Sequence, residues 1–400
     1  MKKQLFISIS FVVLLTLACG GNAFEPVVPV SGGTTASGSG PATPTPVSEG
    51  QMWSQLADSC TYVLVANFLD KNTGTFWSTP GDVERSSAYI YWQQAHALDV
   101  LLYAAQRNES LRDTYLKYAD AWYRNYANNY NRDCRGEGEY GGFFNVWTDD
   151  MAWICLTLIR ISEVSGDAQY RGIAKEVFDR YIWPRRKTYS GGMALPWTSR
   201  PEDVSNFNAC TNAPSCLVAS RLHSFYADAG YLEIAKTLYK ACVDHMPDEE
   251  RAEEPPLSYT QGTLGEACRV LFHLTGDKKY MDKAGKVLQY AFVSNRCTDS
   301  ATGVLRHEGT SMDQSLFKAV LIPYAVNYVL DADADSRTAQ VIREKLMLCA
   351  KTLYKHLDRN KYPQMYCDYF WGSTFTEGTA SMGAQASGAS LMEGVARLFI

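Results

Sequence analysis

The sequence predicts an all-α domain over residues 51–400, built from about six helical hairpins that close into a toroid. Two observations carry this. Apolar residues recur at three- and four-residue spacing almost everywhere after residue 51, as in Ala95, Leu98, Leu101, Leu102 and Ala105, in Ile154, Leu158 and Ile161, and in Cys268, Leu271 and Leu274. That is the period of amphipathic helices, and alternating strand patterns are scarce. The second observation is an internal repeat. Gly166-Asp167-Ala168-Gln169-Tyr170 and Gly276-Asp277-Lys278-Lys279-Tyr280 each lie between two helical stretches. Ala229-Gly230-Tyr231-Leu232 occupies the equivalent place between two more, and Asp113-Thr114-Tyr115-Leu116 is a looser copy. The Gly suits the left-handed cap that ends one helix, and the Asp caps the next. The tyrosines recur roughly every 50–60 residues, the length of two helices and two loops. An open solenoid is the competing architecture. Aromatic- and Gly-rich loops fall on alternate connections only, which favours a closed barrel with one decorated rim.

Taken in chain order, residues 1–18 read as a lipoprotein signal peptide. Met1-Lys2-Lys3 is a short basic start, and Leu5 to Leu17 is an apolar run too short to span a membrane as a mature helix. The run ends in Leu15-Thr16-Leu17-Ala18-Cys19, small residues before a cysteine, so Cys19 is the expected lipidation site and mature N-terminus. An ordinary signal peptide with an incidental cysteine is the alternative. Residues 19–50 then form a Gly/Ser/Thr/Pro-rich, nearly uncharged stretch that cannot bury enough apolar surface to fold, and behaves as a tether. The expectation is an exported, membrane-anchored lipoprotein, on the periplasmic or cell-surface side of an outer membrane. No later run is long enough for a transmembrane helix.

The formal charge of -5 and the lack of a long basic run exclude nucleic acid as an expected partner. Aromatic residues make up 12% of the chain, with 9 Trp and 25 Tyr. These are either large core side chains or platforms on which sugar rings stack, and composition alone does not separate the two. Of the 11 cysteines, Cys155, Cys242, Cys268 and Cys349 sit in apolar helical stretches as small core residues. Cys210 and Cys216 flank a short segment and are candidates for a disulfide. No cysteine or histidine spacing matches a zinc site, and neither metal nor cofactor is expected. Asp331-Ala332-Asp333-Ala334-Asp335 imitates the start of a calcium loop but lacks its Gly and terminal Glu, and reads as a solvated connection.

One stretch concentrates chemistry: Gly141-Gly142-Phe143-Phe144-Asn145-Val146-Trp147-Thr148-Asp149-Asp150-Met151-Ala152-Trp153. Two adjacent carboxylates stand at the start of an apolar helix. Helix capping with a favourable dipole is the bland account. Three features favour catalysis. Capping needs one Asp, whereas the second must share space with a like charge, which raises one pKa and leaves the other group ionised. Adjacent residues have Cα atoms about 3.8 Å apart. Diverging side chains then allow the roughly 5 Å carboxylate separation of a retaining glycosidase. Finally, Trp147 and Trp153 flank the pair, and Trp153 lies on the helical face of Asp149.

These residues resemble glycoside hydrolase family 76, the α-1,6-mannanases, across Trp53 to Ile400. The landmarks are Thr148-Asp149-Asp150-Met151-Ala152-Trp153 and Tyr91-Trp92-Gln93-Gln94-Ala95-His96, then Asn208 to Pro214, Tyr259-Thr260-Gln261-Gly262-Thr263 and Phe317-Lys318, in the family's order. The resemblance implies an (α/α)6 barrel, retaining endo-acting cleavage of α-1,6-linked mannan, Asp149 as nucleophile and Asp150 as acid/base. One departure is Phe207 before Asn208, where family members often carry Lys.

Trp92, Asn145, Trp147, Trp153, Asn208, Asn212, Tyr259 and Gln261 are candidate substrate-binding residues, with loop and cap duty the alternative for the Asn residues. His96 and Asp99 on the helix of Trp92 read first as core groups, and Asp313 with Lys318 as an ion pair. The expected partners are an α-mannan substrate and, through the lipid, a membrane, with the chain acting as a monomer. A surface glycan-binding lipoprotein with little turnover and a transglycosylase are the alternatives. An uronyl hydrolase or sugar epimerase would need basic or histidine clusters that are not evident.

Overall fold

The computed structural model describes residues 47–82, 91–129, 143–201, 205–245 and 256–400. The expected leader, Cys19 and most of the tether lie outside the described residues, as do Gly141 and Gly142. Among those described, twelve α-helices follow one another: α1 (Glu49–Phe68), α2 (Trp92–Arg107), α3 (Glu109–Asn129), α4 (Thr148–Ser165), α5 (Ala168–Val177), α6 (Ala209–Tyr226), α7 (Ala229–His245), α8 (Ser258–Thr275), α9 (Lys278–Val293), α10 (Met312–Val329), α11 (Ser336–His356) and α12 (Met382–Arg397). None is long and apolar enough to cross a membrane.

The even-numbered helices pack in chain order, and α12 returns to α2, which closes the ring. Helices α3, α5, α7, α9 and α11 each pack against the inner helix before them, while α1 lies on α12. The sixth hairpin is therefore shared by the two ends of the domain, and the architecture is the expected (α/α)6 barrel. Burial separates the two layers as amphipathicity requires. On α12 every residue from Met382 to Ala396 is buried, whereas α5 buries only Tyr170, Ala174 and Val177.

The repeat maps onto the hairpin tips. Gly166 (φ 79°) and Gly276 (φ 72°) end α4 and α8 in the left-handed region, and the carboxylates of Asp167 and Asp277 cap α5 and α9. At the tip between α6 and α7 the left-handed residue is Ala227 (φ 52°), and Asp228 Oδ1 accepts from the Gly230 amide. The looser copy is displaced. Asn108 ends α2, its side chain accepting from the Ser110 amide, so Asp113 to Leu116 lie inside α3. The tyrosines tie neighbouring hairpins together. Tyr170 on α5 donates to Asp120 of α3 and meets Tyr123 edge-on at 5.1 Å. Tyr231 donates to Asp179, and Tyr280 meets Tyr239 at 4.8 Å. Each of these contacts reaches back to the preceding outer layer, which is why the sequence period equals one hairpin.

Connections from an outer to the next inner helix carry the decoration. Strands β1 (Leu69–Asp70) and β2 (Thr75–Phe76) form a hairpin before α2, and β3 (Lys187–Tyr189) and β4 (Gly192–Ala194) another before α6. Both belong to the rim where inner helices begin. The expected Cys210–Cys216 disulfide does not form. Both residues lie on α6, where six residues of helix point their side chains in different directions, and Cys216 is a free thiol that donates to the Ala235 carbonyl.

Candidate active site

A cavity of about 490 Å³ opens among the N-terminal ends of α2, α4, α6, α8 and α10. The strand-like segment before α4 builds its floor. Phe143 holds φ 66° without being glycine, its carbonyl accepting from Tyr91 Oη at 2.9 Å. Strain of this kind persists only where surroundings over-determine it, and is frequent at functional sites. Arg185, at the end of a π-helical turn (Phe178–Ile182) and a 3-10 turn (Trp183–Arg185), clamps the stretch between Phe143 and α4. Its guanidinium donates to the carbonyls of Asn145 and Val146 at 2.7 and 2.8 Å and sits over the Phe144 ring. The segment then pairs with residues 197–199: Thr148 N donates to Trp197 O and Ser199 N to Val146 O.

This framework presents the acid pair. Asp149 and Asp150 are the second and third residues of α4, and Trp147, not an acid, occupies the N-cap without a side-chain capping bond. Capping therefore does not account for them. Asp149 Oδ2 accepts from Trp197 Nε1 at 3.1 Å, while its Oδ1 is buried with no donor among the described residues. Asp150 Oδ2 accepts from Asn145 Nδ2 at 2.7 Å. Burial pushes Asp149 up to about 7, against the Trp197 bond, which favours its ionised form. Asp150 is raised well above the carboxylate range by burial first, then by the charges of Asp149 and Asp313. Loss of water sets the direction of the Asp149 shift, against the hydrogen bonds that favour its ionised form. The pair is thus poised to share protons near neutrality, Asp150 being the more readily protonated.

Aromatic rings wall the cavity. Tyr259 and Phe317 stack at 4.2 Å, and Trp92 extends the stack, 6.2 Å from Phe317. Trp153 adjoins Trp92, and His96 meets both edge-on. A second group is Trp147 against Trp197 at 4.5 Å, with Arg200 over the Trp147 ring.

Seven expected residues converge here: Trp92, Asn145, Trp147, Asp149, Asp150, Trp153 and Tyr259 all line the cavity. Three expected substrate-binding residues do not. Asn208 caps α6 through the Thr211 amide. Asn212 is fully buried and bonds both backbone groups of Leu195, bolting the β4 end to α6. Gln261 is buried in α8 outside the lining, its amide unpartnered among the described residues. The expected Asp313–Lys318 ion pair is also absent. Asp313 turns into the cavity, where Trp92 Nε1 donates to its Oδ1 at 3.0 Å and Gln93 Nε2 donates to the same atom. Lys318 is buried, donates to the Tyr369 carbonyl at 2.6 Å and lies over the Trp371 ring. His96 and Asp99 act as core groups: Asp99 pairs with Arg160 and accepts from Thr157. Asp335 caps α11, and Asp331 is held by Arg269 and His273. Asp331, Asp333 and His273 bring ligand atoms close together on the surface, apart from the cavity.

Sequence reasoning did not place Trp197, Arg200, Asp313 or Arg185 at the site. Only the aromatic, Pro-containing run Leu195-Pro196-Trp197 in a loop before an inner helix offered a local signal.

Several solved proteins share this barrel. An inactive variant of the α-1,6-mannanase of a Salegentibacter species, solved with α-1,6-mannotetrose, is similar at 24% identity and TM-score 0.73, covering 86% of this chain and 99% of that one. A Listeria innocua protein is similar at 21% identity and TM-score 0.71, covering 87% and 97%. An α-mannanase of Bacteroides thetaiotaomicron is similar at 15% identity and TM-score 0.65, covering 88% and 96%. At these identities the likeness is one of fold. Comparison with curated proteins gives no match. The glycosyl hydrolase family 76 model matches residues 52–397, nearly the whole folded domain, and the chain accordingly belongs to that family of glycoside hydrolases.

Proposed function

We propose that the protein is a retaining, endo-acting hydrolase of α-1,6-mannosidic linkages in mannan-type polysaccharides. One observation carries the reading: two adjacent, desolvated carboxylates at the floor of an aromatic-walled cavity. The ionised Asp149 attacks the anomeric carbon while Asp150 gives its proton to the departing oxygen. Asp150 then takes a proton from water, which attacks the same carbon and releases Asp149 from its mannosyl ester. Trp197 holds the nucleophile and Asn145 the acid/base. Support comes also from the Salegentibacter enzyme, whose inactive variants have two consecutive aspartates replaced. Asp149-Asp150 is the sole pair of adjacent aspartates in this chain.

The lipid anchor at Cys19 belongs to the same proposal. The start of α1 lies beside Phe399, just past the end of α12, and α12 begins at the cavity rim. A tether to Cys19 would therefore join the domain on the side of the barrel away from the cavity, which keeps its mouth clear of the attachment point.

The test is digestion of unbranched α-1,6-mannan by the soluble domain. Wild type should release oligosaccharides whose first-formed anomer is α, and Asp149→Asn and Asp150→Asn should each lose at least about a thousandfold in kcat/KM. Undiminished cleavage by both variants sinks the mechanism. A β-anomer overturns retention, and longer products in place of shorter ones mark transfer to sugar instead of water.

A further inference from the structure

Asp313 is a third carboxylate in the cavity that the acid–nucleophile mechanism leaves without a task. It stands in the first turn of α10, exposed, with its side chain lining the cavity beside Trp92 and Phe317. A carboxylate offers about four acceptor positions, two on each oxygen. Both positions on Oδ1 are taken, by Trp92 Nε1 and Gln93 Nε2. Oδ2 accepts from no donor among the described residues, and no cation among them pairs with it. The two bonds to Oδ1 hold the carboxylate against Trp92, whose ring belongs to the aromatic wall that also contains Phe317 and Tyr259.

An oxygen with two open acceptor positions beside cavity-lining aromatic rings matches one chemical feature of a sugar. The ring's C–H face stacks on the platform while two neighbouring hydroxyls at its edge donate to the carboxylate. In a 1,6-linked hexose chain, linkage consumes the oxygens at carbons 1 and 6 and leaves those at 2, 3 and 4 as free neighbouring hydroxyls. A branch at carbon 2 or 3 removes a donor from that set.

We propose that Asp313 is a specificity-determining, substrate-binding residue, whose carboxylate reads a free pair of neighbouring hydroxyls and so selects unbranched 1,6-linked chains at its subsite. This rests on the mannan reading above. The charge of Asp313 also faces Asp149 and Asp150 across a cavity in which Arg200 is the one cation among the described lining residues. Removing that charge acts on the pair through space.

The experiment compares wild type with Asp313→Asn and Asp313→Ala on unbranched and 2-O-branched α-1,6-mannan. It adds calorimetric binding of α-1,6-mannotriose to Asp150→Asn with and without Asp313→Asn, and thermal unfolding to verify the fold. Loss of bonds to a charged acceptor should raise KM on the unbranched polymer, and weaken trisaccharide binding, by about 10- to 100-fold. The preference for unbranched over branched polymer should shrink, and the acid limb of kcat/KM should move to lower pH. KM, trisaccharide affinity and branch preference all within twofold of the parent overturn the proposal. A parent that neither cleaves the mannan nor binds the trisaccharide overturns the mannan reading and this one with it.

Discussion

Keeping Asp149 and Asp150 out of water costs stability that can be measured separately from their chemistry. A carboxyl group whose folded pKa lies above its unfolded value binds its proton more tightly in the folded state. Its contribution is full below the unfolded value of 3.8 and is lost as pH rises through the folded one, about 7 for Asp149. Replacing either acid by its neutral isostere removes that loss. Asp149→Asn should therefore be more stable than wild type at pH 8 by about 1 kcal/mol or more, and Asp150→Asn should be more stable as well. The gain should vanish at pH 4. Urea unfolding at the two pH values decides it, and equal or lower stability of both variants at pH 8 refutes the burial account. The pair itself was legible from sequence because its two members are adjacent and an aromatic lies one helical turn on. Asp313 was not, since 163 residues separate it from Asp150 and only ring closure sets the two on one cavity, α10 across from α4. Asn208 and Asn212 misled for a related reason. Capping a helix and binding a sugar call on the same side-chain amide, and only geometry separates them.

The apolar periodicity read from the sequence, at Ala95 to Ala105, Ile154 to Ile161 and Cys268 to Leu274, falls on the inner helices α2, α4 and α8, although burial is more one-sided on the outer helices α5 and α9. Inner helices are buried nearly all round and carry small residues at close crossings. Gly262 on α8 is such a point: a Cβ there would lie 2.6 Å from Leu321 Cα on α10. That neighbour is backbone and cannot swing away, so Gly262→Ala should force the two helices apart and cost about 1–3 kcal/mol. Gly172 on α5 is the internal control, because a Cβ there meets nothing within 4 Å. With no clash, the entropic penalty of glycine in a helix dominates, and Gly172→Ala should stabilise by about 0.5–1 kcal/mol. Opposite signs in chemical denaturation are expected, and a neutral Gly262→Ala would show that the inner ring has slack. The slipped boundary between α2 and α3 has an equally local cause. Asn108 satisfies the next helix through its side chain, a signal carried by one residue where the tips after α4 and α8 use a Gly-Asp pair.

Closure makes the barrel one cooperative object, and its seam lies where α1, α2 and α12 meet. Arg107, in the last turn of α2, is the shared partner there. Its Nε donates to Glu393 of α12 at 2.6 Å, and its two terminal nitrogens donate to Ser54 and Asp58 of α1. Glu393 also accepts from Thr61 of α1, and both Arg107 and Glu393 are almost fully withdrawn from solvent. A charge so placed also complements the C-terminal end of α2. Burying such a pair is roughly neutral against a well-packed apolar pair, but removing one partner strands the other charge and costs about 3–5 kcal/mol. Arg107→Met should incur that loss, while Arg107→Met combined with Glu393→Gln should recover a large part of it. The single variant should also unfold in one transition, since opening the seam uncovers α12 and with it the apolar face of α1. Urea unfolding followed by both backbone and tryptophan signals tests this. Trp53 lies on α1 at the seam, and Trp153 lies on α4 beneath the cavity. Coincident midpoints mean that the ring stands or falls as a whole. Separate midpoints, or a single variant no weaker than the double, mean that the seam is a local latch and that the cavity survives its opening.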